Sequence, residues 1–401
     1  MREMKDSGIS WVGEIPKEWS VWRNKYIFKI TKDIVLPSKS YQLLSLTTTG
    51  IKEKDENDNG GKVPENYDGY QIVKENDLVM CLFDLDCSAV FSGLSPYNGM
   101  ISPTYKVLKV KKRIANEQYY RYWFNYVGSK RFYKQYSKSL RFTLNADEFN
   151  RLFSLLPSLV EQQRIAEFLD RECGKIDGLK ADIQAQIDTL EQYKRSVITE
   201  AVTHGLNPSV PMKDSGIPWV GQFPTHWTKK KGKYILRYMS KPVKQDDGVI
   251  TCFRDGEVTL RSNRREDGFT IADKEIGYQG VDVGDLVVHG MDGFAGAIGI
   301  SDSRGKASPV LNVLNTKQNK KYIMYYLRSM AYGEVFTALS TGIRVRSCDL
   351  RWNKLAELLY PLPPIDEQNN IVNYIDEQIA RTNEIIADKK MQIETLDGYK
   401  K

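Results

Sequence analysis

The stretch Met4-Lys-Asp-Ser-Gly-Ile-Ser-Trp-Val-Gly-Glu-Ile-Pro16 returns as Met212-Lys-Asp-Ser-Gly-Ile-Pro-Trp-Val-Gly-Gln-Phe-Pro224, a shift of 212 − 4 = 208 positions. Self-similarity at so long a period is read before any local motif, because it says that one unit has been built twice. The register continues outward. Trp19 answers to Trp227, Lys25-Tyr26 to Lys233-Tyr234, and Asp77-Leu78-Val79 to Asp285-Leu286-Val287. Towards the end of the unit the shift becomes 206, pairing Glu161-Gln162 with Glu367-Gln368, Asp170 with Asp376, Thr189-Leu190 with Thr395-Leu396 and Tyr193-Lys194 with Tyr399-Lys400. The middles diverge, as between residues 47–68 and 254–275. Like ends and unlike middles fit a common frame that holds two different readers; a duplicated fold whose loops drifted is the plainer alternative.

A chain of 401 residues exceeds one average domain, and 41% hydrophobic with 27% charged residues suffices for buried cores. The net charge of +7, from 58 Lys and Arg against 51 Asp and Glu, permits a polyanion partner without demanding one. Five cysteines (Cys81, Cys87, Cys173, Cys252, Cys348) lack CxxC spacing and only three histidines are present, so neither a disulfide framework nor a zinc site is expected. Free thiols fit a reducing cytoplasm. No apolar run is long enough to span a bilayer and residues 1–10 lack a signal-peptide core, so a cytoplasmic protein away from the membrane is expected.

Within each copy, short Val, Ile, Tyr and Thr runs broken by Gly, Asn and Asp, such as 77–82 and 284–288, read as strands and turns. Helical patches at 117–136 and 320–339 are interspersed, which makes each reader a mixed α/β domain. From Ser158 to His204 the pattern becomes one long helix, opened by Pro157 and the capping-box spacing Ser158-Leu-Val-Glu161 and closed by Gly205 and Pro208. The second follows Pro361-Leu-Pro-Pro364. The expected organisation is a reader at 1–156, a spacer helix at 157–204, a second reader at 205–362 and a second spacer helix at 363–401.

Leu169, Ile176, Ile183, Leu190 and Val197 recur every seven residues, with Ile165, Leu179 and Tyr193 in a second row; Ile379, Ile386 and Ile393 recur in the second helix, flanked by Ile375 and Leu396. Such a seam needs another helix over it, and the two seams are natural partners for each other in an antiparallel coiled coil. A different protein, or the helix's own domain, could cover them instead. A helix of this length is about 65 Å long, enough to hold two readers more than one DNA turn apart. Lys401 aligns with Arg195, so residues 196–204 have no counterpart in the second helix.

Catalytic signatures are sparse. Ser102-Pro-Thr-Tyr105 and Ser308-Pro-Val-Leu311 both lack the second proline of an adenine-methyltransferase acceptor turn, and the latter lacks its aromatic too. The stretch Gly290, Gly293, Gly296 and Gly299 has neither the dinucleotide nor the P-loop spacing, and reads as tight strand turns. His204, His226 and His289 stand outside any nucleophile-elbow context. The expectation is no catalytic residue, no metal and no cofactor held by this chain. What recurs is Arg and Lys beside aromatics: Lys130, Arg131, Lys138 and Arg141 in copy one, and Arg261, Arg264, Arg265, Arg344 and Arg346 in copy two. Such groups bind phosphates, and Arg also reads guanine in the major groove, though solvated surfaces look the same.

The repeated Trp-Val-Gly-x-x-Pro opening, the Leu156-Pro157 and Pro361-Leu-Pro-Pro364 endings, and the Glu161-Gln162-Gln163 and Glu367-Gln368 helix openings together resemble the specificity subunit of Type I restriction-modification enzymes. The resemblance spans nearly the whole chain; Ser158, standing in place of Pro364, departs from it. It implies two target-recognition domains arranged with pseudo-twofold symmetry about paired helices, each reading half of a split, asymmetric double-stranded DNA sequence. It further implies two methyltransferase subunits that supply S-adenosylmethionine chemistry on adenine, and restriction/translocase subunits for cleavage. A non-catalytic coiled-coil scaffold and a stand-alone DNA modification enzyme are the competing expectations.

Overall fold

The repeated Asp-Ser-Gly opening forms the same turn twice. Asp6 and Asp214 each accept the amide of the glycine two residues on, at 2.9 Å, and Ser7 and Ser215 accept the amides of Ile9 and Ile217. Gly8 and Gly216 lie at φ of 71° and 61°, a region costly for any residue with a Cβ, which is why the glycine repeats with the rest. Each turn closes a hairpin, Met4–Asp6 with Glu14–Pro16 and Met212–Asp214 with Gln222–Pro224.

The structure is a computed structural model and describes residues 2–36, 41–54, 67–264, 275–339 and 350–400. Contacts divide the chain into two compact units, residues 1–181 with 394–401, and residues 182–393. The first unit has a four-stranded antiparallel sheet in the order Phe28–Thr31, Lys106–Val110, Leu78–Met80, Ser92–Leu94. The second has Leu236–Tyr238, Leu311–Thr316, Leu286–His289, Ile298–Ile300 in the same order. A two-stranded ribbon closes each reader, Ser20–Arg23 with Phe153–Leu156 and Thr228–Lys231 with Leu359–Leu362. Even the divergent middles carry equivalent ribbons, Leu44–Thr47 with Gly50–Glu53 and Ile250–Cys252 with Val258–Leu260.

Each reader packs one helix on its sheet. Glu117–Ser129 is capped by Asn116, whose side chain accepts the Tyr119 amide, and buries Tyr119, Tyr120, Trp123, Phe124 and Val127. Lys320–Tyr332 is capped by Asn319 and buries Tyr322, Ile323, Tyr326 and Leu327 among others. Both helices end earlier than periodicity predicts. Arg131 and Glu334 take left-handed backbones, at φ of 54° and 56°, and beyond them only a short turn of helix forms in each copy.

The long helices run Leu159–His204 and Ile365–Tyr399. Ser158 Oγ accepts the Glu161 amide at 3.3 Å, one half of the expected capping box. The Glu161 carboxylate leaves the helix end instead and accepts Trp19 Nε1 at 2.9 Å, while Glu367 accepts Trp227 Nε1 at 3.0 Å. The following glutamines are fully buried. Gln162 donates to the carbonyls of Ile114 and Pro157 and accepts the Asn116 amide; Gln368 donates to the Pro363 carbonyl and Gln318 and accepts the Asn319 amide. Each Glu-Gln pair thus ties the helix start to the opening motif and to the capping residue of the reader's own helix.

The readers differ in their buried ionic chemistry. In the second, Lys241 donates to Asp282 and Asp285 at 2.6 and 2.5 Å, and Arg304 bridges Asp282 and Asp247. Asp33 and Lys74 stand in the first reader where Lys241 and Asp282 stand in the second; the Asp33 and Lys241 carbonyls accept the equivalent amides of Ile72 and Gly280. At these two positions the charges are reversed on one backbone, while Asp77 keeps the place of Asp285 and Asp33 pairs with Lys109 at 3.6 Å.

Gln162→Leu fills the same space but strands the Asn116 amide and two carbonyls. We expect a loss of about 3 kcal/mol or more, seen as a fall in Tm of roughly 6–12 °C by calorimetry. Hydrogen bonds from Arg304 hold the Asp247 carboxyl down to about 2. A depressed carboxylate contributes stability that is present above its ordinary range and lost as pH falls through the folded value. Thermal scans should therefore show this contribution fading between about pH 4 and 2. Arg304→Met should lower Tm at neutral pH and flatten that acid limb; an unchanged limb contradicts the assignment.

Candidate nucleic-acid interface

In the first unit two loops meet beyond the sheet. The segment after Leu78–Met80 runs from Leu82 to Ser88, and the segment 137–144 lies against it. Asp84 and Leu85 amides donate to the carbonyls of Arg141 and Phe142, and the Leu144 amide donates back to Leu82. The second loop is closed on itself. Ser137 Oγ donates to the Thr143 carbonyl at 2.9 Å, the Thr143 amide donates to Ser139 Oγ at 2.6 Å, and the Phe142 amide donates to the Ser139 carbonyl at 3.0 Å.

All four cationic residues expected in copy one, Lys130, Arg131, Lys138 and Arg141, are exposed on this region. Arg131 follows the Glu117–Ser129 helix in its left-handed backbone, and its guanidinium reaches the Asp86 carbonyl. Arg141 pairs with Asp84 at 3.3 Å while its side chain stays 81% exposed, so the carboxylate restrains the guanidinium without covering it. Lys134, from the same basic and aromatic run as Lys130 and Arg131, lies 4.5 Å from the Phe142 ring centre. Asp84 and Phe142 also have positive φ, 51° and 45°. Together with Arg131, three residues in this uncommon backbone region gather at one place, a pattern associated with functional surfaces.

Copy two distributes its cations differently. Arg264 is held by Asp255 at 2.7 Å and Glu257 at 3.0 Å and lies 4.2 Å from the Phe253 ring centre, so its charge is balanced inside the reader. Arg261 is half-buried and its Nε donates to Thr251 Oγ1 at 3.4 Å. Arg265, Arg344 and Arg346 lie outside the described residues. Arg254, which no sequence cluster pointed to, pairs with Asp292 at 2.9 Å and keeps 63% of its side chain exposed. The glycine stretch serves packing: Gly296 has φ of 96°, and a Cβ on Gly299 would lie 2.0 Å from the Gly256 carbonyl oxygen. Burial lowers the His289 pKa, and its Nδ1 accepts the Met291 and Asp292 amides, which makes it a turn-forming residue. Among the described residues no group of His, Cys, Asp and Glu gathers as metal ligands do.

Along the helices, Leu169, Ile176, Ile183, Leu190, Ile379 and Ile393 are half-buried and Ile386 is buried. Within the second unit, Lys194 donates to Asn383 at 2.8 Å and Lys389 to Gln186 at 2.5 Å, so residue numbers rise along one helix as they fall along the other. Within the first unit, Lys400 pairs with Asp177 at 2.7 Å, and Lys180 pairs with Asp397. Of the expected second row, Ile165 is half-buried against the first reader's core, and the other two members are not covered. Leu179 and Tyr193 are 52% and 46% exposed, whereas Ile187, which the seven-residue count passes over, is buried. A straight helix repeats every 3.6 residues and drifts about 20° per heptad from a strict seven-residue pattern, which rotates the outer row out of contact.

No family model and no curated protein matches the sequence. Among solved structures, one from work on complex assembly and conformational transition of the type I R-M system is 12% identical and has a TM-score of 0.64, with 96% of each chain covered. The HsdS subunit from Thermoanaerobacter tengcongensis is 13% identical over 96% of this chain and 97% of that one, with a TM-score of 0.48. The Type-I restriction-modification system S subunit from M. genitalium is 12% identical over 94% of each chain, with a TM-score of 0.34. Through the first of these, this chain has the fold of a protein from the type I R-M system.

Proposed function

We propose that this chain is the DNA-specificity subunit of a Type I restriction-modification enzyme. On this reading it is non-catalytic, and it binds a bipartite, asymmetric double-stranded DNA target in the cytoplasm. The observation that carries the reading is the pairing of one strand order, repeated in two units, with different ionic chemistry and different loops on each. One frame with two unlike surfaces suits two different half-sites. The antiparallel helix contacts found within each unit support an antiparallel coiled coil with pseudo-twofold symmetry as the spacer between them.

Partner methyltransferase subunits would bring S-adenosylmethionine and the transfer to adenine, and restriction/translocase subunits the cleavage. Support for two copies of one partner comes from exposed apolar residues at repeat-equivalent places on the helices. Phe168 and Leu179 are 52% exposed each, and Tyr374 and Ile385, 206 positions later, are 37% and 46% exposed. Large apolar side chains held in water at matching positions of a duplicated frame suit a matching pair of partners.

Mapping methylated adenines in cellular DNA with and without this protein gives both half-sites and the gap between them. Exchange of residues 17–156 for another reader should alter one half-site and leave the other half and the gap as they were; an unaltered map overturns the reading. Lys138→Ala and Arg141→Ala should each weaken binding of the assembled complex on all sequences alike. Each should also reduce the slope of log affinity against log salt by about 1, measured by titration over a range of salt.

A further inference from the structure

Leu140 is 101% exposed, the highest value among the large hydrophobics described. It stands between Lys138 and Arg141 at the tip of the loop 137–144. A single exposed leucine is ordinary. This one is unusual in its setting, because the loop is cross-braced by Ser137, Ser139 and Thr143 and bolted by backbone bonds to residues 82–85. Its ordering is settled before any partner arrives, so a contact made at the tip loses little to conformational entropy. Among the described residues nothing covers the side chain, which leaves it open to contacts from outside the reader.

The second copy keeps part of this stretch in sequence, with Gly342 and Arg346 in place of the bracing Ser139 and Thr143. Ser137-Lys-Ser-Leu-Arg-Phe142 recurs as Ser340-Thr-Gly-Ile-Arg-Val345, a shift of 340 − 137 = 203 positions, the shift that also relates the helix caps Asn116 and Asn319. The second segment lies outside the described residues, but its sequence keeps an aliphatic residue followed by arginine while the readers around it diverge.

Resting on the DNA-reading function above, we propose that Leu140 is a base-contacting residue of the first reader: its isobutyl group packs on the C5-methyl of a thymine in the major groove, while Lys138 and Arg141 hold the flanking phosphates. Among base edges, the thymine methyl is the one that an aliphatic side chain recognises. The exposed Lys130, Arg131, Lys134, Lys138 and Arg141 favour a polyanion over a protein as the partner at this tip. Asp84 fixes the Arg141 guanidinium at the loop base, which sets the register of the leucine beside it.

The test uses the full chain assembled with its partner subunits, and measures binding by competition on the mapped target and on every single-base variant of it. Leu140→Ala should lower affinity for the cognate site about tenfold, the scale of one mismatched pair. It should abolish discrimination at one T·A pair in one half-site, and leave the other half-site and the salt slope unchanged. Leu140→Met should restore most of the discrimination. Because the side chain is fully exposed, Tm should move by less than about 1 °C. Discrimination within twofold of native at every position, or equal weakening on all sequences, overturns the proposal while the DNA-reading function stands. Loss of partner assembly with base preference intact overturns it in favour of a protein contact. If the native complex itself binds all sequences alike, the function on which Leu140's role rests is the part that fails.

Discussion

Everything in each unit hangs on a glutamine with no water to fall back on. Gln162 and Gln368 are fully buried, and their amides join three separate pieces of chain: the reader's last proline-bearing turn, the residues that open its internal helix, and the first turn of the long helix. A buried amide is favourable only when its donors and acceptors are matched, so these pieces have one workable arrangement. The preceding glutamate adds the indole of Trp19 or Trp227, and with it the hairpin that starts the unit. The beginning and end of each reader are thereby fixed relative to the helix that leaves it.

With the ends fixed in this way, the middle of a reader is free to change. The four-stranded sheets keep their order although residues 47–68 and 254–275 are dissimilar, because a strand needs only buried apolar positions and a partner, not particular residues. The cost of divergence falls on the loops. In copy one they leave Arg141 restrained but open, whereas in copy two Arg264 is consumed by Asp255 and Glu257. Arginines that look alike in sequence therefore differ in the fold, Arg141 open and Arg264 balanced by carboxylates.

That difference marks the limit of what could be read from the sequence. The duplication and the long helices were legible because they are periodic, and the first helix begins at Leu159, directly after its Ser158 cap. The Glu-Gln motif was legible as a motif, but not in its action, since Glu161 meets an indole 142 residues away and capping geometry alone assigns its carboxylate to the helix end. The early ends of Glu117–Ser129 and Lys320–Tyr332 were hidden because Arg131 and Glu334 adopt left-handed backbones that their residue types do not announce. Charge balance at Arg264 depends on side chains gathered by folding, which no spacing encodes.

The reversed charges of the two readers bear on how a duplicated chain avoids confusing its own halves. Two tandem copies with the same strand order invite a strand of one to be built into the other during folding, the usual failure of repeated domains. Placing the Asp33 segment where Lys241 belongs would set its carboxylate against Asp282 and Asp285, whereas the opposite exchange would set Lys241 between Lys74 and Asp77. Like charges forced together in a partly buried site are strongly unfavourable. The swap of sign therefore makes the second reader the selective one: an Asp33 segment seated there leaves Asp282 and Asp285 without their lysine.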